Sequence, residues 1–121
     1  MPTEQIMKAA LQSYIDTFNS GSAADVAALY AENATVEDPV GSPPKRGRAE
    51  ILAFYTHSMA TGAKLSLDAP IRGSHGNAAA MAFSARVGPL TVRVIDVMTF
   101  DEAGKFTSMK AYFGPSDLQQ G

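Results

Sequence analysis

Apolar residues recur at helical spacing in the first half of the chain. The first such stripe lies between Thr3, a suitable N-cap, and Gly21, a suitable end; its members are Met7, Leu11, Tyr14, Ile15 and Phe18. A second helix is predicted from Ser22, with an inner face of Val26, Leu29 and Tyr30. A third is predicted from about Arg48, with a stripe of Ile51, Leu52, Tyr55 and Met59.

From Ala34 the pattern changes to alternation, which is typical of strands. A first short strand would place Ala34 and Asp38 on one face and end at Pro39. Segments of turn-forming residues then separate four further predicted strands: 64–71, 78–87, 90–100 and 105–113. Helices followed by strands predict one α+β domain over residues 1–121. Three N-terminal helices would pack on a curved, mostly antiparallel sheet and enclose a cone-shaped apolar cavity.

Composition narrows the possible functions. Hydrophobic residues make up 45% of the 121 residues and the formal net charge is -2, so a basic surface for nucleic acid is not expected. Without cysteine there can be no disulfide, thiolate nucleophile or cysteine-bound zinc. The two histidines lack metal-ligand spacing, and no cofactor motif is present. With no signal peptide or membrane-spanning segment, we expect a cytoplasmic protein without a membrane partner.

Asp96 interrupts an apolar run in the predicted strand 90–100. Alternation places it on the same face as Val94 and Met98, among apolar side chains. A buried carboxylate without a partner is unfavourable, so such a group raises its pKa and becomes neutral. A neutral Asp96 can donate a hydrogen bond. The alternative is a structural aspartate paired with an arginine such as Arg72 or Arg86.

Asp38 and three tyrosines are further candidates for the site. Asp38 ends its strand on the inner face, and a carboxylate at the mouth of an apolar cleft is well placed to act as a base. The alternative is a turn-forming Asp-Pro pair. Tyr14, Tyr30 and Tyr55 are predicted on the inner faces of the three helices, where their hydroxyls need partners. They form either a hydrogen-bonded chain ending at Tyr14 or three ordinary core residues.

Five segments together carry a resemblance to a known family: Ser13-Tyr-Ile15, Ala34-Thr-Val-Glu-Asp-Pro-Val-Gly41, Gly47 to Tyr55, Val94-Ile-Asp-Val-Met98 and Met109-Lys-Ala-Tyr-Phe113. Nearly the whole chain resembles the bacterial ketosteroid isomerases, or steroid delta-isomerases, of the nuclear transport factor 2-like (SnoaL-like) superfold. The resemblance implies isomerisation of a Δ5-3-ketosteroid to its Δ4 isomer through a dienolate, without a metal or cofactor. It also implies a homodimer that pairs through the sheet.

Residue roles follow from the same resemblance. By position, Asp38 falls on the general base, and Tyr14 and a protonated Asp96 fall on the two donors to the enolate oxygen. Ketosteroid isomerases are a known case of a neutral aspartate used as a donor. Tyr30 and Tyr55 fall on a supporting network. The apolar positions that line or flank the steroid cleft are Phe54, Met81, Phe83, Met98 and Phe113. The chain departs from the family in its short hairpin at residues 88–89, which bears on substrate fit or the dimer contact.

Two alternatives stay open at this point. Another enzyme of the same superfold, such as a cyclase or dehydratase, tends to use an inward histidine–aspartate pair. His57 and His75 are instead predicted on an exposed helix face and in a turn. A non-catalytic module that binds a hydrophobic ligand would explain the cavity but not two carboxyls and a phenol directed into it.

Overall fold

The computed structural model describes residues 1–120. Within them, three α-helices lie in the first half of the chain. They are α1, Glu4–Ser20, α2, Ala23–Ala27, and α3, Gly47–Met59. α1 begins where the Thr3 hydroxyl accepts a hydrogen bond from the Ile6 amide at 3.1 Å, and it ends at Gly21, whose φ of 94° favours glycine. The predicted stripe of α1 is buried, as expected.

Seven strands among residues 1–120 form one open sheet: β1, Tyr30–Glu37; β2, Lys45–Arg46; β3, Lys64–Leu67; β4, Ala78–Val87; β5, Leu90–Phe100; β6, Phe106–Tyr112; and β7, Leu118–Gln120. Their order is β2-β1-β6-β5-β4-β3. β1 runs parallel to β6, and the other pairs are antiparallel. β7 pairs with the first residues of β5, beyond the end of β6. The predicted α+β class with a mostly antiparallel sheet is confirmed.

The sheet differs from the sequence prediction at its margins. Tyr30 was placed in the second helix but begins β1, because residue 30 pairs with Phe106 and the Leu29 carbonyl accepts a hydrogen bond from the Phe106 amide at 3.0 Å. The strand predicted over 64–71 pairs as a strand only to Leu67. The segment Leu118–Gln120 was not predicted as a strand, since a run of three residues gives no readable alternation.

The helices cover the concave face of the sheet and build the core there. α1 packs on β3 and β4, and α3 packs on β1 and α2. Within α3, Ile51 and Tyr55 face inward as predicted, whereas Leu52 is 40% exposed and does not belong to the buried stripe. In the part of the chain that the structure describes, no helix combines the length and apolar character needed to cross a membrane.

Candidate active site

Asp96 is the most deeply buried carboxyl group in the site. It lies on the concave face of β5 between Val94 and Met98, is 1% exposed, and pairs across the sheet with Met81. Neither carboxylate oxygen has a hydrogen-bond partner within residues 1–120. The alternative interpretation, an ion pair with Arg72 or Arg86, is therefore wrong. Burial, and secondarily the charge of Asp38, raises the pKa of Asp96 well above its ordinary value, which favours the neutral form of this carboxyl.

Asp38 directly follows β1 and lies at about the same level along the strands as Asp96. The Val40 amide donates to the carbonyl of Ala111 at 2.8 Å, and Ala111 is the cross-strand partner of Asp96. Residues 38 and 96 therefore lie two strand spacings apart, which separates their Cα atoms by about 10 Å. The Gly41 amide donates to the Glu37 carboxylate at 3.0 Å and steadies the loop. Partial burial raises the pKa of Asp38 to about 6.

The three tyrosine hydroxyls form a hydrogen-bonded chain. Tyr55, on α3, lies in the middle, with its hydroxyl 2.9 Å from that of Tyr14 on α1 and 2.6 Å from that of Tyr30 on β1. All three side chains are buried. Burial raises the pKa of each phenol well above its ordinary value, so all three carry their protons at neutral pH. The chain brings together three elements and places Tyr14 at its end, as one of the two sequence interpretations expected.

An apolar cavity of about 300 Å³ joins these groups, a volume at the lower end of the usual range for small-molecule sites. Tyr14, Asp38 and Asp96 all line it, together with Tyr55. Aliphatic and aromatic side chains form most of the remaining wall: Phe18, Phe54, Ala63, Leu65, Phe83, Ala85, Val87, Val92, Val94 and Phe113. An apolar wall that carries two carboxyl groups and a phenol suits proton transfer to and from carbon, because charge interactions are stronger in apolar surroundings than in water.

The predicted cleft residues divide into two groups. Phe54, Phe83 and Phe113 line the cavity, and their contact with a steroid stays a prediction. Met81 and Met98 do not line it. Both are fully buried in the core, where side chains of the helices pack on this part of the sheet and leave no open space beside it.

Sequence reasoning missed several residues on the rim. His57, Ser58 and Thr61 lie on or just after the end of α3 and also line the cavity. Ser58 could have been predicted to line the cavity, because it lies one turn after Tyr55 on the same helix face. His57 was expected only on an exposed face, and it is indeed exposed, but its side chain borders the opening.

No group of three or more histidine, aspartate or glutamate side chains that could hold a metal ion occurs within residues 1–120.

Comparison with known proteins places the chain in a family, because residues 11–109 match the SnoaL-like domain. This chain belongs to the SnoaL-like domain family.

Two known proteins are similar to this SnoaL-like domain over nearly its whole length. A curated steroid Delta-isomerase of Nocardioides simplex is 45% identical over 119 residues, and the alignment covers 93% of each chain. A solved structure described as the epoxide hydrolase/cyclase-like enzyme SalBIII, with a role in pyran ring formation in the polyether salinomycin, superposes with a TM-score of 0.92. That similarity covers 100% of both chains at 26% sequence identity. Both similarities therefore extend over nearly the whole chain and not only a fragment of it.

Proposed function

We propose that the protein is a steroid delta-isomerase that converts Δ5-3-ketosteroids to Δ4-3-ketosteroids. The observation that carries the proposal is that two carboxyl groups, one fully buried and one half-buried, line the same apolar cavity. Asp38, with a pKa of about 6, is ionised at neutral pH, whereas burial raises the pKa of Asp96 and favours its protonated form. The relationship to a curated steroid Delta-isomerase supports this assignment. An apolar cavity also suits the fused hydrocarbon rings of a steroid.

Asp38 serves as the base in this mechanism. The carbon between the ketone and the double bond of a Δ5-3-ketosteroid is weakly acidic, and the Asp38 carboxylate removes one of its protons. The electron pair moves into a dienolate, and the same carboxyl then returns the proton to the carbon at the far end of the dienolate. Asp38 is ionised again at the end, so the reaction has no net change in protons.

Tyr14 and Asp96 stabilise the dienolate. Negative charge develops on the ketone oxygen as the proton leaves, and preorganised donors in a dry cavity stabilise this charge most strongly. The Tyr14 hydroxyl and the protonated carboxyl of Asp96 line the same buried part of the cavity. The two Asp96 oxygens have no partner within residues 1–120, so its proton is available to a ligand.

Tyr55 and Tyr30 support the Tyr14 donor. If Tyr30 donates to Tyr55 and Tyr55 donates to Tyr14, the Tyr14 proton is left for the ketone oxygen. Each donated bond makes the next hydroxyl a stronger donor, since hydrogen bonds in series polarise one another. Tyr30 and Tyr55 thus act through Tyr14 and do not touch the substrate oxygen.

The direct test is to incubate the protein with 5-androstene-3,17-dione and follow the ultraviolet absorbance of the conjugated enone. We expect catalytic formation of the Δ4 isomer, with no added metal or nucleotide. Tyr14→Phe should slow the reaction, while a Tyr112→Phe variant removes a phenol from an exposed position on the outer sheet and should not. A protein that binds the steroid but leaves the Δ5 bond in place would contradict the proposal and favour a binding module.

A second candidate rests on the structural similarity to an epoxide hydrolase/cyclase-like enzyme. In such a reaction, Asp96 would protonate the epoxide oxygen while Asp38 accepts the proton of the attacking hydroxyl. The much higher sequence identity to the steroid Delta-isomerase favours isomerisation. Incubation with an epoxy-alcohol and analysis for a cyclic ether product distinguishes the two.

We also propose that the protein is a homodimer that pairs through the outer face of its sheet. Ile95 and Tyr112 are cross-strand partners on that face and are 49% and 47% exposed. Together with Val40 they border a shallow groove. An exposed apolar patch on a sheet is typical of a contact between protein surfaces. The pairing expected from the family resemblance would cover this patch.

A further inference from the structure

The cavity has a closed end and an open end. Its closed end holds Tyr14, Tyr55 and Asp96, all of which are buried. Its exposed lining residues are His57 and Thr61, at the end of α3, and the half-buried Val87 and Val92 of the β4–β5 hairpin line it as well. A steroid that places its ketone against Tyr14 and Asp96 must therefore point its far end toward the gap between α3 and this hairpin.

The cavity wall along β5 is long enough for a steroid in this orientation. Asp96, Val94 and Val92 follow one another on the concave face of β5, and all three line the cavity. At about 3.4 Å per residue, the four steps from 96 to 92 span about 14 Å. On the sheet side this outer part of the wall is aliphatic, formed by Ala85, Val87 and Val92. Polar partners for a ligand can come only from the α3 side.

Ser58 is the polar group best placed on that side. It lies three residues after Tyr55 and four after Phe54, so it shares their helix face and lines the cavity one turn nearer to the opening. The Thr61 hydroxyl is already engaged, since it donates to the Ser58 carbonyl at 2.6 Å and accepts from the Ala63 amide at 3.3 Å. Ser58 is half-buried, and its hydroxyl makes no hydrogen bond within residues 1–120, where only its carbonyl is engaged by Thr61.

We propose that Ser58 is a specificity-determining residue that recognises an oxygen atom at the end of the steroid remote from the 3-ketone. This inference rests on the proposed function and adds to it the class of steroid that is preferred. A hydroxyl both donates and accepts, so Ser58 can bind either a carbonyl or a hydroxyl group there. One such hydrogen bond is worth a preference of about 2- to 10-fold over a steroid without the oxygen.

The test compares kcat/KM for 5-androstene-3,17-dione with that for 5-androsten-3-one, which has the same rings but no remote oxygen. The wild-type protein should prefer the dione about 2- to 10-fold. Ser58→Ala should abolish the preference through a higher KM for the dione, with kcat nearly unchanged, because the reacting end is untouched. The matched control is Ser66→Ala, which removes an exposed serine hydroxyl of β3 outside the cavity wall and should keep the preference.

A preference that survives Ser58→Ala overturns the inference, as does a wild-type protein that turns over both steroids equally well. A preference lost in His57→Ala but kept in Ser58→Ala also overturns it and assigns the contact to the imidazole. If the wild-type protein isomerises neither steroid, the proposed function fails. Equilibrium binding of the two corresponding Δ4 3-ketones to the wild type and Ser58→Ala then decides the role of Ser58 independently of turnover.

Discussion

Replacement of Asp38 by asparagine should have two opposite effects, a loss of catalysis and a gain in stability at neutral pH. Asparagine has nearly the same shape but cannot accept the substrate proton, so turnover should fall by at least about 10²- to 10⁴-fold, the usual contribution of a general base. The gain in stability has a separate origin. Folding transfers the ionised Asp38 into a partly buried position that disfavours its charge, and the neutral amide avoids this cost.

The magnitude follows from the pKa of Asp38. Folding raises it from an ordinary value of 3.8 to about 6. The folded state therefore binds a proton more tightly than the unfolded state. The stability that Asp38 contributes is complete below pH 3.8 and is lost as the pH rises through about 6. At about 1.4 kcal/mol per pH unit, the ionised group costs at most about 3 kcal/mol above pH 7 and about 1 kcal/mol at pH 4.5.

The assay is urea unfolding of the wild type and Asp38→Asn at pH 4.5 and pH 8, beside enone absorbance for activity. The free energy of unfolding of the variant should exceed that of the wild type by more at pH 8 than at pH 4.5, by about 2 kcal/mol. Asp16→Asn, the same substitution at an exposed position of α1, should change neither property. A variant that is equally or less stable at pH 8, or that stays active, would refute the placement of an ionised base in the cavity.

Four further predictions concern the rest of the site and the outer face. The kcat/KM of the wild type should rise with pH through about 6, as Asp38 loses its proton, and fall at high pH as Asp96 loses its own; a pH–rate profile without the rise contradicts the base assignment. Asp96→Leu should lower turnover by about 10²- to 10³-fold, and Asp96→Asn by less since it keeps a donor; equal rates for wild type and leucine variant would make Asp96 merely structural. Tyr55→Phe should leave the Tyr14 and Tyr30 hydroxyls without a partner and lower the free energy of unfolding by about 1–3 kcal/mol for each, measured by urea unfolding. An unchanged midpoint would argue against the hydrogen-bonded chain of hydroxyls. Ile95→Glu should dissociate the proposed dimer in sedimentation velocity while the monomer stays folded by circular dichroism; an unchanged sedimentation coefficient would place the contact elsewhere.

Local periodicity carried much of the information on the site. The alternation around Asp96 was enough to predict a buried carboxyl, and helical spacing was enough to predict that Tyr14 and Tyr55 face inward. These predictions succeeded because the face on which a side chain lies depends on its position within one strand or helix. The α+β class followed from the same patterns, since helices that precede strands must cover one face of the sheet.

The tertiary structure decided which inward-facing groups meet. Tyr30 could not be assigned to its strand from sequence, because its place depends on pairing with Phe106, far along the chain. Sequence also could not show that Met81 and Met98 lie outside the cavity wall, because this depends on how distant segments pack. An apolar residue at the correct spacing can face either packed side chains or an open cavity. The sequence thus determined which side chains turn inward, and only the packing of distant segments determined the distances between them and the space left beside them.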